Sequence, residues 1–282
     1  RTAGEFAAIG DMAGADVLLV YAAGDGAGDL MGAINPVHKL GKDAIFLVRH
    51  QSGPLYYWYE GIMARYLHQH TDELAVPGVD YEDVVVDSMD EVLWRLRALC
   101  GLRNTIGSRI VCIGGAGSWG QPVAATMDLV QKRWQLHAET VSYEELEVLL
   151  RRARDDQAAV DRARRQAAAY LQLPQTTLET DKPFVENSFL LEEVFRSLMA
   201  RAGCRAMTIR GCMRTIMPIA QTTACLALSH LNDTGYLAFC ESDFVVIPSG
   251  MLLGSLSGRP TFLNDPTYPH DGIITLAHRP SR

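Results

Sequence analysis

The sequence predicts an α/β fold of Rossmann-like layered parallel sheets with flanking helices, and three observations lead to it. Short apolar runs rich in β-branched residues recur along the chain, helical patterns separate them, and glycine turns follow several of the runs. Strands of a parallel sheet are covered on both faces, so they read as continuous apolar runs, as these do. With 282 residues, 48% hydrophobic and 21% charged, the chain is long enough to bury the core such a fold needs.

Taken in order, residues 1–14 read as a helix that precedes a strand. Residues 16–21 (DVLLVY) and 44–48 (AIFLV) are strands, separated by a glycine-rich loop and by a short helix over 30–40 broken near Pro36. Residues 55–68 carry a helical apolar pattern rich in aromatics, 84–87 form a strand and 89–99 an amphipathic helix. A fresh unit opens near Gly107, which predicts two units, 1–106 and 107–282.

The second unit begins with a strand over 109–113 (RIVCI), a glycine turn and a helix over 122–134 with Pro122 in its first turn. A strand over 136–141 follows, and Ser142 with Glu145 three residues on reads as a capping box. The helical material over 143–172 carries charge along 151–165, read as a solvated face. An amphipathic helix over 184–202 leads to a strand over 206–209, and a helix over 222–231 closes on Asn232, Asp233 and Gly235. A short apolar run over 236–240 ends at Glu241 and Asp243. Pro248 either disturbs the helical stretch over 244–256 or marks its first turn, and the last strands are 260–263 and 273–276.

Composition narrows the function classes. A net charge of −7 opposes non-specific nucleic-acid binding, which needs a basic surface to displace counterions. No apolar stretch reaches the ~18 residues of a membrane span. Six cysteines without a CxxC pair predict buried free thiols in a reducing compartment, hence the cytoplasm. The chain opens on Arg1 with no leader pattern, which reads as a start in mid-domain.

Three segments carry residues suited to chemistry. Gly115, Gly117 and Gly120 fit GxGxxG between a strand and a helix, with Glu139 about 20 residues further on. In a dinucleotide fold, such glycines let the backbone approach a pyrophosphate and the acid binds a ribose hydroxyl; the alternative is a plain strand-to-helix turn carrying the bulky Trp119. The loop over 24–32, with Asp25 and Asp29, could cradle an anion or sugar hydroxyls at the carboxyl end of a strand, or be a plain flexible βα loop. Arg49–His50, with Tyr56, Tyr57 and Trp58 behind them, supply a histidine and aromatic faces suited to a sugar or an interface. Glu241 and Asp243 stand at i and i+2, so they project to one side if strand geometry continues through them, near Asn264, Asp265, His270 and His278 in sequence. Hard oxygen donors suit Mg²⁺ or Mn²⁺, and a histidine tilts the choice to Mn²⁺. In the bland alternative, Glu241 caps the next helix and Asp243 faces water.

The stretch 224–266, ACLALSHLNDTGYLAFCESDFVVIPSGMLLGSLSGRPTFLNDP, resembles the L-fucose/L-arabinose isomerase-like superfamily, and IGGAGSW and SYEELEVLLRRA extend the likeness upstream. The resemblance implies an oligomeric Rossmann-like protein whose Mn²⁺-type site interconverts an aldose and a ketose through an enediol. It implies Asp243 as a metal carboxylate, Glu241 as its companion and His278 as a third ligand. Arg49, His50, Trp119, Asn264 and Asp265 are the candidate sugar contacts. Two departures accompany it. Residues 221–225 (QTTAC) lack the catalytic glutamate the family carries upstream of the matched aspartate, and nothing after Arg282 matches the family's last domain. The expectations are therefore a metal-dependent sugar isomerase, a sugar-binding or assembly module that has lost the acid, or a nicotinamide-dependent oxidoreductase on the glycine turn.

Overall fold

The computed structural model describes residues 14–22, 40–48, 81–261, 263, 265–266 and 268–277. Two compact units divide the chain between Cys100 and Gly101. The predicted helices over 1–14, 30–40 and 55–68, the loop over 24–32, Arg49, His50, Asn264 and His278 lie wholly or largely outside the described residues.

In the first unit β1 (Val17–Ala22), β2 (Asp43–Val48) and β3 (Val84–Val86) form a parallel sheet in that order. Val17 pairs with Asp43 and Phe46 with Val84. Ile45, Leu47, Val85 and Val92 make its small apolar cluster, with Leu96 and Leu99 against it. Those last residues belong to α1 (Met89–Thr105), which is longer than the predicted helix and less clearly amphipathic, since Leu93 and Trp94 are exposed.

The second unit holds a four-stranded parallel sheet in the order β5 (His137–Val141), β4 (Arg109–Ile113), β6 (Ala206–Ile209), β7 (Leu237–Phe239). The chain leaves β4 through α2 (Val123–Trp134) toward one edge and leaves β6 through α7 (Cys225–Asp233) toward the other. Right-handed crossovers running in opposite directions place their helices on opposite faces. Burial follows that rule. Ile110 and Cys112 of β4 face a cluster with Val130 of α2 and Ile247 and Met251 of α8 (Ile247–Ser257). Val111 and Ile113 face Leu146 and Leu150 of α3 (Tyr143–Asp155), Leu191 and Phe195 of α5 (Lys182–Ala202), and Leu228 of α7. The alternation along β4 is the period of two of a strand covered on both sides.

Several boundaries differ from the sequence reading. The helical stretch over 143–172 is two helices, α3 and α4 (Gln157–Leu171), because Asp156 turns extended and accepts the Ala158 N–H at 2.9 Å as an N-cap. Ala159, Ala163 and Ala167 then pack α4 onto Phe189 of α5. Only half of the predicted capping box forms: Ser142 Oγ accepts the Glu145 N–H at 3.2 Å, while the Glu145 carboxylate accepts from Arg201 at 2.7 Å instead. A π-helical turn (Cys212–Ile216) and α6 (Met217–Ala220) fill the loop after β6, where no element was expected. Pro248 sits in the first turn of α8, where its missing N–H is harmless. Residues 260, 261 and 263 are not a strand; the final pair is β8 (Asp265–Pro266) antiparallel to β9 (Leu276–Ala277), each two residues long. Among the described residues, no helix is long and apolar enough to cross a membrane.

Candidate functional site

In an open parallel sheet, ligands settle beyond the carboxyl ends of the strands where the strand order reverses. Here that point lies between β4 and β6, whose ends carry Gly114 and Arg210. The Tyr143 hydroxyl occupies the space directly beside them. It donates to the Arg210 carbonyl at 2.9 Å, and a Cβ on Gly114 would lie 2.1 Å from it. The open volume is therefore displaced toward β7. A cavity of about 310 Å³ is lined there by Gly117, Trp119, Gln121, Arg210, Glu241 and Asp243, among others. A larger cavity of about 720 Å³ borders Arg109, Arg205 and Tyr236, which stand at the strands' starts, the edge where such sheets do not bind ligands.

Strand geometry does not continue through the acidic pair, as its predicted one-sidedness required. β7 ends at Phe239, and Glu241 and Ser242 take left-handed φ values of 69° and 53°. Two bonds hold this turn. The Ser242 N–H donates to Thr208 Oγ1 of β6 at 3.1 Å, and the Gly117 N–H donates to the Ser242 carbonyl at 2.8 Å. The left-handed turn, rather than strand alternation, brings both carboxylates to one cavity. Neither acid caps α8, as the bland alternative had Glu241 do: the N-cap is Val246, without a side-chain bond. Asp243 Oδ1 accepts the Val245 N–H at 3.0 Å within the turn that leads to α8, while Glu241 is exposed.

The glycine turn has a structural explanation of its own. A Cβ on Gly117 would stand 3.1 Å from the Ser242 carbonyl, so glycine there admits the acidic turn rather than a pyrophosphate. Glu139 pairs opposite Val111 in mid-strand, away from the tip where a ribose-binding acid stands. Trp119 is 73% exposed at φ 38°, an outlier for a bulky residue, held by the Gln121 N–H donating to the Ser118 carbonyl at 2.9 Å. Such strain persists where surroundings over-determine it, and here it leaves an exposed indole on the cavity lining.

No protein-family model matches the chain, and no curated protein matches it. Among the described residues no three His, Cys, Asp or Glu side chains form a group that could hold a metal ion. Glu241 and Asp243 share the cavity, Asp265 lies in β8, and His278, Asn264, Arg49 and His50 lie outside the described residues. The segment 221–225 has no acid, and its Thr222 is buried, its hydroxyl 2.8 Å from Ser188 Oγ and donating to the Phe184 carbonyl at 2.9 Å. The residue that the sequence reading passed over is Arg210. Its signal was positional, since Arg210–Gly211 follows one strand as Gly114 follows another.

The cysteines are all free, as expected, though Cys100 and Cys225 are exposed. Burial, helped by Cys204, raises the Cys112 thiol from 9.0 to about 12. Burial and then the Glu241 charge raise Cys240, which adjoins the acidic turn, to about 12. A thiol whose folded value exceeds its unfolded one contributes stability below the unfolded value, and that contribution fades as pH climbs. Stability is expected to fall between pH 9 and 12 on this account, read by urea denaturation across the range. Iodoacetamide at pH 8 is expected to label Cys100 while sparing Cys112 and Cys240 until denaturant is added. Equal labelling of the three in the native protein would contradict this burial.

Proposed function

We propose that this protein is a metal-dependent sugar isomerase-like enzyme that interconverts an aldose and a ketose at the cavity beyond β4, β6 and β7. The observation that carries the reading is the placement of Glu241 and Asp243 on one 310 Å³ cavity at the ligand-binding edge of the sheet. Trp119 on its lining offers an aromatic face to a sugar ring. The resemblance of the stretch 224–266 to the L-fucose/L-arabinose isomerase-like superfamily supports the same chemistry.

Hard divalent cations are commonly held by one or two carboxylates, with substrate oxygens and water completing the shell, and the donors at this cavity fit that pattern. Asp243 and Glu241 would hold Mn²⁺ or Mg²⁺, and the resemblance adds His278, outside the described residues, as a further donor. When bound, the cation supplies polarisation of the sugar carbonyl and its neighbouring hydroxyl. Asp243 Oδ1 is committed to the Val245 N–H, so Oδ2 is the atom left for the cation or a sugar hydroxyl. Glu241, exposed beside the cavity, would take the proton from the carbon bearing the hydroxyl and return it to the former carbonyl carbon, while the hydroxyl proton passes to the former carbonyl oxygen. Oligomeric assembly and a cytoplasmic location belong to the same proposal.

A second reading, a sugar-binding module without turnover, is favoured by the acid-free and packed segment 221–225. One experiment separates the two. The chelated protein is incubated with a panel of aldoses with and without Mn²⁺, and ketose formation is followed alongside calorimetric binding. Ketose appearing only with the cation is the expected result. Full activity after exhaustive chelation would overturn the metal role. Sugar binding indifferent to metal, with no interconversion, would select the binding module.

A further inference from the structure

We propose that Arg210 makes this cavity selective for sugars that carry one anionic group, a phosphate or a carboxylate; the inference deepens the sugar reading above and rests on it. Arg210 lines the cavity together with Glu241 and Asp243. Its guanidinium bonds only to the Ala116 carbonyl among its described partners, at a long 3.4 Å, and it takes part in none of the described ion pairs. Three other arginines of this unit are held much closer. Arg196 bonds Glu192 at 2.7 Å, Arg201 bonds Glu145 at 2.7 Å and Arg205 bonds the Gly235 carbonyl at 2.6 Å. Arg210 thus brings several unspent donors to the cavity, in a fork geometry suited to a carboxylate or phosphate.

Its backbone is firmly anchored. The Arg210 N–H donates to the Ile113 carbonyl at 2.9 Å, and its carbonyl accepts the Tyr143 hydroxyl. The side chain therefore departs from the fixed ends of two central strands, which lowers the ordering cost of binding. The start of α2 adds potential of the same sign. Val123 lines the cavity, the N-cap is Pro122 without a side-chain cap bond, and no acid occupies the first turn. The carboxylates on the same cavity would repel a second anion. The complementary ligand is therefore two-ended, with one anionic group toward Arg210 and hydroxyls toward Glu241 and Asp243.

The test is calorimetry on the full chain at low ionic strength with ribose, ribose 5-phosphate, glucose, glucuronate and inorganic phosphate. The wild type is expected to bind the phosphate- or carboxylate-bearing sugar at least tenfold more tightly than its neutral parent. Arg210→Gln is expected to erase that ratio by weakening the charged sugar at least tenfold more than its neutral parent, and Arg210→Lys to keep part of it. A role confined to supporting the 116–120 loop would weaken neutral and charged sugars alike. Equal wild-type affinity for neutral and charged sugars, an equal loss for both in Arg210→Gln, or inorganic phosphate binding as tightly as the sugar phosphate would overturn the proposal. The ratio needs no turnover to be read. Charge selectivity without isomerisation removes the isomerase reading and keeps this one, whereas isomerisation of neutral sugars without selectivity does the reverse.

Discussion

Gly114→Ala is expected to destabilise the second unit by roughly 4 kcal/mol and to disorder the cavity together with the core beneath it. Two terms add. Gly114 has φ +77°, where an L residue costs about 1–2 kcal/mol. The new methyl would also stand 2.1 Å from the Tyr143 hydroxyl and 2.3 Å from its ring carbon, and overpacking of this kind costs about 1–3 kcal/mol. The tyrosine cannot yield freely, because its hydroxyl holds the Arg210 carbonyl at the end of β6. Thermal unfolding should show a midpoint lowered by roughly 10 °C. In a Tyr143→Ala background the same substitution should cost only the backbone share, about 1–2 kcal/mol. An equal cost in both backgrounds would mean that the ring is not what the methyl meets.

Glu192→Gln is expected to cost about 3 kcal/mol, although the residue lies on the middle of a helix far along the chain from the acidic turn. Glu192 is 2% exposed, accepts from Arg196 Nε at 2.7 Å and stands 2.8 Å from His230 Nδ1. Removing its charge leaves two cationic or polar partners facing a neutral amide in the core. The cost falls at the lower end for a broken buried pair because Arg196 and His230 keep about a third of their side-chain surface in water. Arg196 also bonds Thr234 at 2.7 Å and covers the Tyr236 ring at 4.7 Å, so the substitution should loosen the turn between α7 and β7. Urea denaturation of the variant measures the first effect, and hydrogen exchange at residues 234–237 the second. A loss under 1 kcal/mol would show that the pair merely balances its own desolvation.

Much of the fold was legible because its signals are local. Residues 110–113 are an unbroken apolar run and 206–209 are apolar but for Thr208, and both became central strands covered on two faces. The break at Asp156 was hidden, since Arg152, Ala153 and Arg154 before it and Gln157, Ala158 and Ala159 after it are good helix formers and the interruption depends on one extended backbone position. The strand expected over 260–263 failed for a related reason. A short apolar run is only a strand when a neighbour stands ready to pair with it, and none of the residues described there does.

The candidate site was legible in its residues and not in its geometry. Alternation on a strand was the wrong reason for the acidic pair to face one way; the left-handed backbone at Glu241 and Ser242 depends on Thr208 and Gly117, which are distant in sequence. Arg210 could not be chosen from sequence, because an arginine after a strand acquires meaning only when the order of strands shows which tip it stands on. By itself the sequence determined the α/β class, the apolar strands, most helix limits and the carboxylates available for chemistry, all consequences of local pattern and side-chain type. Only the tertiary structure decided that β4 and β6 are neighbours, that Tyr143 fills the space between their ends, and that Arg210, Trp119, Glu241 and Asp243 share one cavity. Those outcomes rest on long-range backbone pairing and packing, which no window of sequence contains.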